Sequence, residues 1–228
     1  QPALSLLNAL LPGETSKADF HIYIGTTADK EMKKYRNRIP EKADGYFLKI
    51  EKDRIIIAGA DRRGAYYGLQ TLAQLLTLNR LPQVEVTDYP DVPYRGVVEG
   101  FYGIPWSHEA RMDQLDFYGR NKMNIYIYGP KDDPYHRTPH WRKPYPEQEG
   151  ERISQLVDRA KQNEVIFYWA VHPGVDIRWN EEDRSLLLQK LESVYRLGVR
   201  GFAVFFDDIS GEGTKADKQA ELLNYIDE

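Results

Sequence analysis

The chain has 228 residues, 41% hydrophobic and 29% charged, which is the balance of an ordinary globular protein and excludes disordered, fibrous and membrane classes. A formal net charge of −4 and a pI near 5.8 exclude the basic footprint that grips a phosphate backbone, so nucleic acid is not expected as a partner. The absence of cysteine excludes disulfides, thiolate nucleophiles and cysteine-ligated zinc, and without a long apolar run no membrane span is expected.

The opening Gln1-Pro2-Ala3-Leu4 lacks the basic start of a secretory signal, so a signal was removed or never existed. The compartment stays open, leaning towards secretion or the periplasm. Further along, His21-Ile22-Tyr23-Ile24 reads as a strand. Residues 46–50 and 54–58 read as two more, joined through Glu51-Lys52-Asp53 as a hairpin. The period then changes: Ala65, Leu69, Leu72, Ala73 and Leu76 recur at helical spacing, with Asp61 placed to cap the first turn. Prolines mark Asp88-Tyr89-Pro90-Asp91-Val92-Pro93, and a domain boundary is placed there. This division gives a small α/β domain over residues 1–90 and a second domain over 91–228.

From Arg95 onward an apolar strand, a polar turn and an amphipathic helix repeat four times, with strands over residues 96–101, 123–128, 165–171 and 201–206. The first helix starts at Ser107 and runs to about Asn121. Ile153, Leu156, Val157 and Ala160 line the second, Leu187, Leu191, Val194 and Tyr195 the third, and Leu222, Leu223 and Ile226 the fourth. Such alternation implies parallel pairing through right-handed crossovers, and strands apolar at successive positions imply burial on both faces. A doubly wound sheet and a barrel both satisfy this. No Walker loop or dinucleotide fingerprint opens a helix, and the spacing of Gly96, Gly100 and Gly103 matches neither.

In a (β/α)₈ barrel the chemistry gathers at the C-terminal ends of the strands. Those ends read Glu99-Gly100-Phe101-Tyr102-Gly103, Tyr128-Gly129-Pro130-Lys131-Asp132-Asp133, Trp169-Ala170-Val171-His172-Pro173-Gly174 and Phe205-Phe206-Asp207-Asp208-Ile209-Ser210. Asp207 and Asp208 stand where an apolar strand ends and a cleft would begin. Acids there serve as caps or solvated loops. Adjacent carboxylates also resist ionising together, so one pKa rises and the pair can divide acid and base duties, as cleavage of a glycosidic bond requires. Lys131, flanked by Pro130 and Pro134, is either part of a solvated turn or a rigidly held donor to sugar hydroxyls.

His136 and His140 have the spacing of a helical metal pair, but Pro139 between them argues against the helix. His172 is a hydrogen-bonding group of a pocket wall or a histidine tied to backbone in a strand-end turn. Trp141, Trp169 and Trp179, in a chain with 16 tyrosines, are stacking platforms for sugar rings or core residues.

Three of these motifs carry a resemblance. Arg95-Gly96-Val97-Val98-Glu99-Gly100-Phe101-Tyr102-Gly103, Tyr128-Gly129-Pro130-Lys131-Asp132-Asp133-Pro134-Tyr135 and Phe205-Phe206-Asp207-Asp208-Ile209 resemble, in order, the O-GlcNAcase family, glycoside hydrolase family eighty-four. The upstream α/β domain is similar to the one preceding that family's barrel. The resemblance implies a retaining exo-β-N-acetylglucosaminidase in which the substrate's 2-acetamido oxygen is the nucleophile and an oxazoline the intermediate. It implies that Asp207 orients the acetamido N–H, and that Asp208 is the general acid and then the base. Gly100 and Lys131 then contact the sugar ring and its hydroxyls, and Tyr102 lies near the pocket floor. No metal or organic cofactor is implied.

Four of the eight expected strands are present, so the fold expected is a small α/β domain followed by the first four βα units of a TIM barrel. A half-barrel leaves two open edges and an uncovered inner face, which predicts a homodimer or pairing with a complementary C-terminal half-barrel. Two other readings stand beside this one: an assembly or sugar-binding module inactive until complemented, and a hydrolase of glycosaminoglycans such as hyaluronan.

Overall fold

Residues 46–50 and 54–59 are apolar at nearly every position because successive side chains in a strand point to opposite faces, and here both faces are covered. The computed structural model describes residues 2–10 and 20–227. They fall into two units, Gln1–Arg95 with Gly119–Met123, and Gly96–Tyr118 with Asn124–Glu228.

In the first unit, α1 (Pro2–Leu10) is followed by β1 (His21–Thr26), β2 (Tyr46–Ile50), β3 (Arg54–Gly59), α2 (Arg62–Leu75) and β4 (Val84–Asp88). The sheet order is β1-β3-β2-β4, with β2 and β3 antiparallel and β1 parallel to β3. The hairpin expected at Glu51-Lys52-Asp53 therefore forms. Tyr46, Leu48, Ile55 and Ile57 pack on Tyr66, Tyr67, Leu69 and Leu72 of α2. On the opposite face Phe47, Ile56 and Ala58 meet Met32 and Ile39, around the 3₁₀ segment Lys30–Arg38. Asp61 caps α2, its carboxylate accepting from the Gly64 N–H at 2.8 Å, an interaction worth about 1 kcal/mol. Gly68 lets the helix lie close to the sheet, since a Cβ there would stand 2.6 Å from a methyl of Ile57. The sequence pattern does not single out β4, α1 or the 3₁₀ segment. In β4 the half-buried positions alternate with the charged Glu85 and with Thr87, so the apolar signal is too short to stand alone.

The second unit repeats strand and helix: β5 (Gly96–Glu99), α3 (His108–Arg120), β6 (Ile125–Tyr128), α4 (Glu147–Gln162), β7 (Ile166–Val171), α5 (Glu181–Arg196), β8 (Gly201–Val204) and α6 (Ala216–Asp227). All three pairings are parallel and the order is β5-β6-β7-β8. Sequential order places consecutive strand ends side by side along one edge, and the register sets Glu99 level with Tyr128 and Tyr128 level with Trp169.

Several expectations are corrected here. β5 stops at Glu99 and β8 at Val204, each two residues short of the expected end. The last residue of β5, Glu99, is buried, its carboxylate accepting from Arg111 of α3 at 2.8 and 2.9 Å and from the Tyr126 hydroxyl. Burial on both faces is nearly met in β7 but fails in β5, where Val98 is 51% exposed. Helix-facing residues such as Glu99, Tyr126, Phe167 and Trp169 are covered, whereas Val98 lies on the other face. On α5 and α6, Leu187, Leu191, Val194 and Leu222 are buried as their spacing requires, but Tyr195 and Leu223 are exposed.

α5 also buries a lysine. Lys190 is 1% exposed, donates to the Lys143 carbonyl at 2.6 Å and stands 4.1 Å from the centre of the Tyr145 ring, with Tyr135 and Trp169 beside it. Burial pulls its pKa down to about 7, opposed by the charge of Asp133. The unfolded lysine titrates near 10.4 and so binds more protons than the folded one between those values. Stability is therefore expected to rise with pH from about 7 to about 10, by at most about 1.4 kcal/mol per pH unit. Urea midpoints across that range should show the rise in the wild type and its loss in Lys190→Met.

Candidate active site

At the C-terminal edge of the parallel sheet the ladder's last ties are Gly129 N–H to the Glu99 carbonyl at 3.0 Å and Phe205 N–H to the Val171 carbonyl at 2.8 Å. Beyond them the chain turns into loops. Gly129 is required by packing: a Cβ there would lie 2.6 Å from the Phe205 ring. Gly100 is different, because a Cβ would meet nothing closer than 3.6 Å, so the chain itself does not demand a glycine.

Asp207 and Asp208 follow β8 after Phe205 and Phe206, with side chains 50% and 55% exposed. Asp208 has φ of +51°, in the left-handed region that costs a non-glycine residue roughly 1 kcal/mol and that aspartate tolerates better than most. Backbone held in this way concentrates where function orients a side chain.

Lys131, from the turn after β6, reaches across the end of β7 to this pair. Its side chain is 7% exposed, and its ammonium donates to Asp207 Oδ2 and lies 3.6 Å from Asp208 Oδ2. The turn is anchored by Asp133, which accepts from the Tyr128 hydroxyl at 2.8 Å, the Tyr145 hydroxyl at 2.6 Å and the Tyr135 N–H at 2.7 Å. Arg137 adds a bond to the Lys131 carbonyl at 3.2 Å. Pro130 and Pro134 are therefore the lesser part of what holds the lysine. Tyr102, from the loop after β5, donates its hydroxyl to Asp208 Oδ2 and has the Lys131 ammonium 5.2 Å from its ring centre.

The neighbours of Asp207 set its electrostatics. Burial pushes the Asp207 carboxyl up, but the Lys131 hydrogen bond and charge, with His172 behind, pull it further down, so it sits below the usual carboxylate range. The Tyr102 phenol is pushed up, first by its bond to Asp208 and then by burial. A lysine, rather than mutual repulsion of the carboxylates, sets the charge of Asp207.

The structure thus brings together Lys131, Tyr102, Asp207 and Asp208 from three strand ends, with Gly100 beside Val98, Gly129 and Phe205. Tyr102, expected near a pocket floor, is 66% exposed. Trp141 and Trp169 are fully buried, their indole N–H groups donating to Asp176 and Tyr145, so neither is a stacking platform. His136 and His140 lie in a loop, and among the described residues no group of three or more histidine, aspartate or glutamate side chains is placed to hold a metal ion. His172 is fully buried, with Nε2 2.7 Å from the Asp207 carbonyl oxygen and 3.3 Å from Asp207 Oδ1. The His-Pro-Gly that follows β7 was the signal for it, but the partner lies 35 residues away.

Two family models match the chain. One, described as beta-N-acetylglucosaminidase, covers residues 95–228, and the other, glycosyl hydrolase family 20, domain 2, covers residues 7–89. Both are models of glycoside hydrolase domains, the class of protein that the chain is similar to. The chain belongs to the beta-N-acetylglucosaminidase family. It is 42% identical over 125 residues to Protein O-GlcNAcase of Rattus norvegicus, covering 54% of this chain and 14% of that protein. Among solved structures, CpGH84B is 37% identical with a TM-score of 0.89, over 98% of this chain and 41% of that one. The Thermobaculum terrenum O-GlcNAc hydrolase is 34% identical with a TM-score of 0.55, over 59% of this chain and 31% of that one. The chain therefore spans well under half the length of these relatives.

Removing the lysine leaves burial as the larger influence on Asp207. In Lys131→Met the Asp207 carboxyl is expected to titrate at higher pH than in the wild type, read by ¹³C NMR of labelled aspartate. An unchanged midpoint would show that Lys131 does not set its charge.

Proposed function

We propose that the protein carrying this chain removes terminal β-linked N-acetylglucosamine with retention of configuration, using the substrate's own 2-acetamido group as nucleophile. The observation that carries the reading is the separation of the acid pair: Asp207 is held ionised by Lys131, while Asp208 is bonded by a neutral phenol. An ionised Asp207 accepts a hydrogen bond from the acetamido N–H, which turns the acetamido oxygen onto the anomeric carbon and raises its electron density. The C–O bond to the leaving group breaks as the oxazoline forms. Asp208 gives its proton to the departing oxygen, then takes one from the water that opens the oxazoline, returning to its starting state. Tyr102 orients Asp208, and Lys131 and the open space at Gly100 face the sugar ring. No step calls for a cofactor.

In this reading the four parallel strands are the first half of an eight-stranded barrel, and the face bearing Val98 is its lumen. The exposure of Val98 and the 41% coverage of CpGH84B support it. In isolation the face is covered by a second copy or by the complementary half.

In the full-length protein, Asp208→Asn should cost about 10²–10⁴-fold in kcat on an alkyl glycoside and far less on a dinitrophenyl glycoside, whose leaving group needs no proton. Equal losses would remove Asp208 as the acid. Asp207→Ala should slow both substrates alike, because orienting the nucleophile precedes either departure. Light scattering on the 228-residue chain alone should give at least twice its 26.5 kDa mass, and Val98→Lys should lower it. A monomer with Val98 in place would contradict the covered face.

A further inference from the structure

Asp207 is tied from above by Lys131 and from below by a residue the proposed reaction does not yet use. His172 stands at the end of β7, between the strand ends that carry Lys131 and Asp207. It is fully buried, and its main chain is fixed by a bond from its N–H to the His136 carbonyl at 2.7 Å and by bridging to Arg137. The Asp207 carbonyl 2.7 Å from Nε2 can only accept, so Nε2 carries the hydrogen. Nε2 also lies 3.3 Å from Asp207 Oδ1, and Nδ1 has no hydrogen-bond partner among the described residues. The ring's polar ties therefore all go to Asp207.

This contact has a geometric consequence. The Asp207 carbonyl belongs to the planar peptide group leading into Asp208, whose φ is +51°. Holding that oxygen fixes the tilt of the peptide plane, and with it the directions in which both carboxylates leave the backbone. Lys131 grips Oδ2, and His172 Nε2 stands 3.3 Å from Oδ1, so the carboxylate leaves a fixed peptide plane with a cation at one oxygen and the imidazole beside the other.

We propose that His172 is a positioning residue for Asp207, its Nε2–H holding the carbonyl of that acid and so setting its carboxylate in the direction that orients the substrate's acetamido group. The inference rests on the role given to Asp207 under Proposed function.

The test compares three variants of the full-length protein. His172→Gln places an amide nitrogen near the position of Nε2, His172→Asn places one near Nδ1, and His172→Phe keeps the ring's bulk without a donor. Asn and Phe are expected to lower kcat by about 10-fold to about 100-fold on both the alkyl and dinitrophenyl glycosides, with KM within about 3-fold. Gln is expected to recover most of the loss. Should Phe fail to fold, the comparison of Gln with Asn decides alone. Equal activity of Gln and Asn, losses that follow melting temperature rather than donor position, or a loss confined to the alkyl glycoside would overturn the inference. Asp207→Ala separates the two layers: if it stays active the role of Asp207 itself fails, whereas if it is inactive and the His172 variants are not, only the positioning role fails.

Discussion

The reach of Lys131 across the end of β7 to Asp207 is the interaction on which the site depends. It joins the loop after β6 to the loop after β8, two segments that share no hydrogen-bonded ladder. Exposed ion pairs contribute little, but a lysine side chain that is 7% exposed is better held where a counter-charge meets its ammonium. Asp207 accepts from the Lys131 ammonium, which also stands 3.6 Å from Asp208 Oδ2, and Asp208 accepts from the Tyr102 phenol.

Holding a lysine in place takes a scaffold, and it lies on the helix-facing side of the sheet. Asp133 gathers two tyrosine hydroxyls and a backbone N–H, Trp169 donates to Tyr145, and Lys190 sits over the Tyr145 ring. Glu99, Arg111 and Tyr126 form a second cluster under the loop that carries Gly100 and Tyr102. A buried polar network whose members all find partners rigidifies what stands on it. Many of the chain's tyrosines serve this support, which is why an aromatic-rich composition does not by itself indicate a sugar-stacking surface.

Much of the fold was legible because its signals are local. The hairpin of β2 and β3, the Asp61 cap and the four repeats of strand and helix all follow from apolar period and from turn residues, which act over a few neighbours. So did the pairing of Asp207 with Asp208, which chain adjacency guarantees. Element ends were less legible: β5 ends at Glu99, whose partners Arg111 and Tyr126 lie twelve and twenty-seven residues on. Trp141 and Trp169 were ambiguous for a similar reason, since whether an indole is a platform or a core residue depends on what packs over it.

The amino-acid sequence by itself determined the alternation of elements, the parallel pairing it entails and the chemical character of each strand end, because these depend on residues close in the chain. Only the tertiary structure decided which of those ends touch. Lys131 and Asp207 lie 76 residues apart, Tyr102 and Asp208 106 apart, and His172 and Asp207 35 apart. Strand order and register bring them to one edge, and no local pattern encodes that meeting. The two aspartates were thus readable as a pair, while the partners that hold each of them are residues folded in from elsewhere.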